Sequence, residues 1–318
     1  MAGCLGTSSV EKRPRQHNRP RSCMVCCKKV RQRRAHIYVI SVAGSATIYN
    51  HVVNNIGVIP VVDFTTWATG APPTPTPVSS MGSYVSLGTA LGVHTLESYP
   101  APAGAEGAGQ TLPVFLKNAP RGSVSQFIFT GFSLGGTLSP TLALRLKADT
   151  GVFTKTDTVL TYPIASASPG NVHFANYFAE RFPKTAGLGY QVWNSNIANS
   201  LDVATNAWST DASQSLYLDR IRRIYGNEPI NGIEQKINLA MATANKSGMV
   251  YIPLQSTIFS PAPPSPPSTE EKFAEIAAEQ HSGAYYEDYF GIKLPKGTKH
   301  PSSQEGGAQP RFFSPTLS

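Results

Sequence analysis

Cysteine is almost absent from this chain of 318 residues, and long apolar runs are absent altogether. All four cysteines lie within the first 27 residues, so disulfides cannot hold the rest of the chain together. No stretch approaches the ~18–20 consecutive apolar residues of a transmembrane helix, and the N-terminus lacks the apolar segment of a secretory signal peptide. We therefore expect neither a transmembrane segment nor a signal peptide.

Positive charge is scarce outside the N-terminus. The net charge is +8, but residues 1–36 contain ten Lys and Arg and one acidic residue, whereas residues 37–318 have 17 basic and 18 acidic side chains. The main part of the chain therefore gives no electrostatic reason to expect a nucleic-acid partner. We interpret residues 1–36 as a flexible basic tail. A protein that binds nucleic acid or metal through this tail is one alternative function.

The cysteines of the tail do not make a complete metal motif. Cys23, Cys26 and Cys27 have half of the spacing of a zinc site, but no second pair of ligands follows at the required distance. The sequence therefore predicts no metal site.

Strand and helix patterns alternate along residues 37–294. Short runs of β-branched and aromatic residues predict four strands, at 37–42, 127–129, 158–164 and 190–193. Leucines spaced four apart between 134 and 146 predict a helix that packs on a sheet. This alternation is typical of α/β proteins with a mostly parallel central sheet and helices on both faces. The polar residues 295–318 are predicted to form a loose C-terminal tail.

The run Gly131-Phe132-Ser133-Leu134-Gly135 lies between a predicted strand and the leucine-rich helix. A Gly-x-Ser-x-Gly motif in this context predicts a nucleophile elbow, in which the tight turn leaves no room for side chains at the two glycines. Ser133 is then the nucleophile, and the backbone N–H of Leu134 is one oxyanion donor. Pro140 is expected to kink the helix that follows.

A serine hydroxyl needs a base and an acid, which in this fold follow the serine in the order acid, then histidine. Three histidines follow Ser133: His173 leaves little chain for an acid, His300 lies in the predicted tail, and His281 follows a helix that begins near Ser268. His281 is therefore the predicted base. The residues alone leave the acid open. Asp202 follows a strand pattern, and the other aspartates weighed are interpreted as exposed surface charges: Asp149, Asp157, Asp211 and Asp219.

From about Tyr38 to Ile292, these motifs resemble the class 3 lipase family, the filamentous-fungal type of triacylglycerol lipase. Residues 131–136 are similar to that family's Gly-His-Ser-Leu-Gly-Gly elbow, with Phe132 in place of the histidine. Residues 168–171 resemble its Pro-Arg-Val-Gly-Asn segment. The segments around Asp202 and His281 resemble those that carry the family's acid and histidine.

The resemblance implies an α/β-hydrolase-like fold with a Ser133–His281–Asp202 triad. Residues 44–50 are similar to the family's Arg-Gly-Ser segment, which implies that Ser45 completes the oxyanion hole and that residues 45–60 form a lid. The apolar spacing at 48–56 fits a buried helix equally well.

The sequence departs from the family at Ala43, where the family has arginine, and at Thr205, where proline commonly follows the acid. The short basic stretch before Gly44 also differs from the helices and strand that the family has there. The resemblance implies a lipase that acts on acylglycerols through an acyl-enzyme at a lipid–water interface, with neither metal nor organic cofactor. It also implies an extracellular protein. An esterase for small soluble or aromatic-acid esters is the alternative.

Overall fold

The computed structural model describes residues 25–32, 35–45, 57–148, 151–187, 189–226 and 228–293. The strands in this part of the chain are β1 (Val25–Gln32), β2 (Ala35–Val42), β3 (Val61–Asp63), β4 (Tyr84–Ser86), β5 (Val124–Phe132), β6 (Asp157–Ile164), β7 (Gly170–Asn171), β8 (Thr185–Ala186), β9 (Val192–Trp193), β10 (Asn196–Asn199), β11 (Tyr251–Ile252) and β12 (Ser256–Phe259).

The α-helices are α1 (Phe64–Ala68), α2 (Leu87–Ser98), α3 (Leu112–Asn118), α4 (Leu134–Ala148), α5 (Val172–Arg181), α6 (Val203–Asn206), α7 (Asn231–Asn245) and α8 (Glu270–His281). A 3-10 helix covers Leu218–Arg223 and a π-helix covers Tyr285–Tyr289. None of the helices in the described ranges is long and apolar enough to cross a membrane.

The central sheet has six strands in the order β1-β2-β5-β6-β10-β12. The strands from β2 to β12 pair in parallel, and β1 adds an antiparallel edge. Because parallel strands end at the same edge of a sheet, the loops after β2, β5, β6 and β10 gather at that edge. A smaller antiparallel sheet has the order β11-β7-β4-β3.

Helices flank the central sheet, as the alternating pattern predicts. Phe127 and Phe129 of β5 are fully buried in one core cluster with Leu138 and Leu142 of α4. A smaller cluster contains Ile197 of β10, with the C-terminal aromatic residues packed against it. The four leucines predicted to form one face of α4 are all buried. The helix runs without interruption from Leu134 to Ala148, with Pro140 in its interior.

The predicted boundary between the basic tail and the hydrolase domain, at residue 36, differs from the structure. Strand β2 begins at Ala35, and β1 pairs with it along its whole length, Val25 with Val42 through Gln32 with Ala35. Lysine and arginine are common on edge strands because they discourage pairing with other chains. The high charge of this segment is therefore compatible with a strand. Residues 1–24 and the predicted tail 295–318 lie outside the described residues.

Candidate active site

Ser133 forms the whole turn between β5, which ends at Phe132, and α4, which begins at Leu134. Its φ angle is +59°, a left-handed conformation that residues other than glycine seldom adopt. Hydrogen bonds hold this strained residue on both sides: its N–H donates to the carbonyl of Ile164 at 3.0 Å, and its carbonyl accepts from the N–H of Thr137 at 3.1 Å. Strain of this kind persists only where the surrounding structure enforces it, and it is frequent at active sites.

The two predicted elbow glycines lie where backbones meet. A Cβ atom on Gly131 would overlap the carbonyl group of Gly135. A Cβ atom on Gly135 would overlap the carbonyl oxygen of Val42 at the end of β2. Since backbone atoms cannot swing aside as a side chain can, glycine is required at both positions for α4 to begin this close to the sheet.

The structure brings the three predicted catalytic side chains together. The Oγ of Ser133 lies 2.9 Å from Nε2 of His281. The Nδ1 of His281 lies 2.9 Å from Oδ2 and 3.0 Å from Oδ1 of Asp202. A carboxylate can only accept a hydrogen bond, so Nδ1, which faces it, carries the proton of the neutral imidazole. Nε2 is then left to accept the hydroxyl hydrogen of Ser133.

Asp202 follows β10 and is fully buried. Two further groups donate to its carboxylate: the N–H of Ala204 to Oδ1 at 2.8 Å, and the hydroxyl of Tyr285 to Oδ2 at 2.9 Å. Burial, and then the Asp202 charge, raise the pKa of the Tyr285 hydroxyl well above its ordinary value of 10.0. Tyr285 therefore stays protonated and donates to the carboxylate, which satisfies a buried charge that would otherwise be costly.

The sequence did not predict this role for Tyr285, although it lies in the aromatic run that follows His281. The N–H of Asn199 donates to the Tyr285 oxygen at 3.0 Å, so Tyr285 links the last residue of β10 to Asp202. A signal for this role was the position of Tyr285 only four residues after the predicted base. The buried partner that explains it is 83 residues away in the chain.

The other candidates for base and acid lie elsewhere or outside the described residues. His173 is in α5 and contacts the carbonyl of Ser80, and His300 and Asp149 are not among the described residues. The prediction that Asp157 is an exposed charge is wrong: its side chain is 1% exposed and pairs with Arg121 at 3.1 Å. Arg121 reaches it from 36 residues away, a contact that sequence patterns do not contain.

The two predicted oxyanion contributors are Leu134, which belongs to the elbow, and Ser45, which follows a glycine that approaches it. Leu134 is the first residue of α4, so its N–H is at the positive end of a 15-residue helix. Gly44 approaches the elbow so closely that a Cβ there would lie 3.2 Å from the carbonyl oxygen of Phe132 and 3.7 Å from Cβ of Ser133. The next residue, Ser45, is exposed.

The predicted lid, residues 45–60, is described only at its ends. Residues 46–56 lie outside the described residues. After them the chain is anchored: Val58 is 2% exposed, and its carbonyl accepts from the Tyr251 hydroxyl at 2.6 Å.

Among the described residues, no group of three His, Cys, Asp or Glu side chains is placed to hold a metal ion. Cys23 of the half zinc motif is outside this part of the chain.

Comparison with protein-family models finds no match, and comparison with curated protein sequences finds none either. Among solved structures, the chain is similar to M37 lipase, with 24% identity and a TM-score of 0.66 over 87% of this chain and 76% of that one. Matches to Rhizomucor miehei triacylglyceride lipase (15% identity, 60% and 57% of the two chains) and to Yarrowia lipolytica LIP2 lipase (16%, 57% and 56%) each have a TM-score of 0.33. Matches with a TM-score this low do not establish a shared fold. The similarity to M37 lipase confirms the predicted fold: the chain has an α/β-hydrolase fold, with a mostly parallel central sheet flanked by helices.

Proposed function

We propose that this protein is a serine hydrolase of carboxylic esters and acts as a lipase on acylglycerols. The observation that carries the proposal is the continuous chain of contacts from Ser133 Oγ through His281 to Asp202, each at 2.9 Å. A serine is activated for acyl transfer when its hydroxyl contacts an imidazole that in turn contacts a buried carboxylate. The shared fold with a protein named as a lipase supports a lipid ester as the substrate class.

In the proposed reaction, His281 Nε2 takes the Ser133 proton while Oγ attacks the ester carbonyl. The imidazole becomes a cation, which the Asp202 carboxylate stabilises. The developing oxyanion is stabilised by the N–H of Leu134 at the positive end of α4, and by Ser45. His281 then returns the proton to the leaving alcohol, and water attacks the acyl-enzyme by the same route.

We further propose that residues 45–60 form a lid over this site that opens at a lipid–water interface. Two features support a segment attached at both ends. Ser45 follows Gly44, which touches the elbow, and Val58 is fixed in the core.

The central test is Ser133→Ala, assayed on tributyrin. We expect hydrolysis to fall by about 10⁵–10⁶-fold, because removal of a triad nucleophile leaves only binding and oxyanion stabilisation. Ser139→Ala is the matched control: Ser139 lies in α4, the helix that follows Ser133, is fully buried, and has no hydrogen-bond partner for its Oγ among the described residues. Retained hydrolysis in Ser133→Ala, or an equal loss in Ser139→Ala, would refute the assignment of Ser133.

Substrate class is tested by the chain length of p-nitrophenyl esters, with and without emulsified substrate. A lipase with a lid gains activity when an interface forms. Activity confined to short soluble esters, with no gain from emulsion, would contradict both the lipase assignment and the lid and would identify an esterase.

A further inference from the structure

Phe132, the residue before the nucleophile, contacts two members of the hydrogen-bonded chain that ends at Ser133. Its ring centroid lies 4.8 Å from that of His281, with the planes inclined at 41°. It also meets Tyr285 edge-on, at 5.6 Å and 90°. Phe132 therefore joins the strand that carries the nucleophile to the segment that carries the base and the tyrosine bound to Asp202.

The hydrogen bonds from His281 to Asp202 and to Ser133 do not by themselves fix its ring. These two contacts are made at the ring nitrogens, to Asp202 at Nδ1 and to Ser133 at Nε2. A planar ring held at these two atoms can still tilt about the line that joins them, and this tilt turns the in-plane lone pair of Nε2 away from the serine hydroxyl. An aromatic side chain packed against the ring opposes this tilt, because it would have to be compressed or displaced.

The chemical nature of Phe132 suits this position. A histidine there, as in the family motif that the sequence resembles, could itself donate or accept a hydrogen bond beside His281. Phenylalanine has no polar atoms, so it cannot compete for the nitrogens of His281. Its ring also lies within the ~6 Å at which an aromatic face attracts a cation, and His281 gains positive charge when it takes the serine proton.

We propose that Phe132 is a positioning residue for the base: it holds the His281 ring in line with Ser133 Oγ. This inference rests on the proposed function of Ser133, Asp202 and His281. It assigns to Phe132 a role in the rate of acyl transfer and none in substrate affinity.

The test compares Phe132→Ala, which removes the contact, with Phe132→Leu, which restores most of the apolar bulk beside His281. With soluble p-nitrophenyl butyrate we expect kcat to fall by about 10–100-fold in Phe132→Ala, as small misplacements of catalytic groups cause, and KM to change by less than about twofold. Phe132→Leu should recover most of this loss. A role in folding alone would leave kcat per folded molecule unchanged.

Phe153→Ala is the matched control. Phe153 is also a partly buried phenylalanine with two aromatic neighbours, Phe127 at 5.1 Å and Phe129 at 6.2 Å. It precedes β6, at the end of the sheet opposite Ser133. We expect this variant to lose thermal stability and to keep kcat.

Proton NMR reports directly on the hydrogen bond between His281 and Asp202. The Nδ1 proton of His281, held by Asp202, is expected to give a low-field proton resonance that Phe132→Ala broadens or shifts and Phe153→Ala leaves in place. Unchanged kcat and an unchanged resonance in Phe132→Ala, with an active parent enzyme, would overturn this inference alone. If the parent enzyme neither hydrolyses esters nor reacts with a fluorophosphonate at Ser133, the proposed function itself fails.

Discussion

Asp202→Asn separates the proposed acid from Asp157, a carboxylate of β6 whose side chain is also buried. The substitution keeps the size of the side chain and changes which atoms can accept. In the wild type, both oxygens of Asp202 accept: Oδ1 from the N–H of Ala204, Oδ2 from Tyr285, and both from His281 Nδ1. An asparagine has only one oxygen for these donors.

The structure indicates which arrangement the asparagine adopts. Its oxygen stays where the N–H of Ala204 donates, because a backbone N–H cannot turn away. The amide NH₂ then takes the position of Oδ2 and faces His281 Nδ1, which must lose its proton to accept. The imidazole is driven to the tautomer with the proton on Nε2, and Nε2 can no longer accept from Ser133. We expect kcat to fall by about 10³–10⁴-fold, the scale of a wrong histidine tautomer in a serine triad.

Folding stability should change much less than the rate. The neutral amide is easier to bury than a carboxylate, and the loss is confined to the charge-assisted bonds, so we expect the free energy of unfolding to fall by about 1–2 kcal/mol.

Asp157→Asn is the opposite case, because it should affect stability more than activity. Oδ2 of Asp157 accepts from Nε and Nη2 of Arg121 and from the N–H of Thr154. Removing its charge weakens the pair with Arg121 and should cost about 2 kcal/mol or more without touching the elbow.

Both variants are assayed for kcat on p-nitrophenyl butyrate and for thermal unfolding, at a temperature where each is folded. Asp202→Asn is expected to lose its activity with a small loss of stability, whereas Asp157→Asn is expected to lose more stability and to stay active. If Asp202→Asn keeps more than about a tenth of kcat, the tautomer argument is refuted. If Asp157→Asn loses kcat to the same extent while folded, the acid is misassigned.

Tyr285→Phe should lower the free energy of unfolding by about 2–3 kcal/mol and kcat by about tenfold, because the Asp202 carboxylate loses a donor and the buried N–H of Asn199 loses its acceptor. Chemical denaturation measures the first effect and steady-state kinetics the second. An unchanged unfolding midpoint would contradict the expected loss of stability. Burial, and then the charge of Arg145, lower the pKa of His94 below 6.5. The unfolded chain therefore binds the proton more readily, and this contribution to stability is lost as the pH falls from about 6.5 through the folded pKa. In thermal melts between about pH 7.5 and 5, His94→Gln should lose less stability on acidification than the wild type, and an identical pH dependence would speak against it.

The elbow could be predicted from sequence because its requirements are local. A one-residue turn at Ser133, with φ at +59° and backbone against backbone on both sides, admits only glycine at 131 and 135. Five consecutive residues therefore carry the complete pattern. The helix that leads to His281 was predictable for a similar reason, although its cap is Thr269, which accepts from the N–H of Lys272, one residue later than the predicted Ser268.

The strand beside β6 in the central sheet could not be predicted in this way. Residues 190–193 have the apolar pattern of a central strand, but β9 pairs with the short β8, and the strand beside β6 is β10, whose sequence is Asn-Ile-Ala-Asn. Its asparagines are tolerated because they bond internally: Asn196 Oδ1 accepts from the N–H of Ser166, and Asn199 Nδ2 donates to the carbonyl of Gln280. β-Strand propensity alone favours the wrong segment, since these partners are distant in the chain: Ser166 lies in the loop after β6 and Gln280 in α8.

The same distinction between local and distant requirements explains why the proposed acid was the hardest residue to predict. Nothing next to Asp202 in the chain demands a carboxylate; the demand comes from His281, 79 residues further on. Asp157 has similar burial and a similar number of donors, but its partner is an arginine, which cannot be deprotonated and so cannot act as a base. Burial of a carboxylate is therefore not what marks the acid. What marks it is a partner that can exchange a proton with a nucleophile, and only Asp202, of these two, contacts a histidine that reaches Ser133.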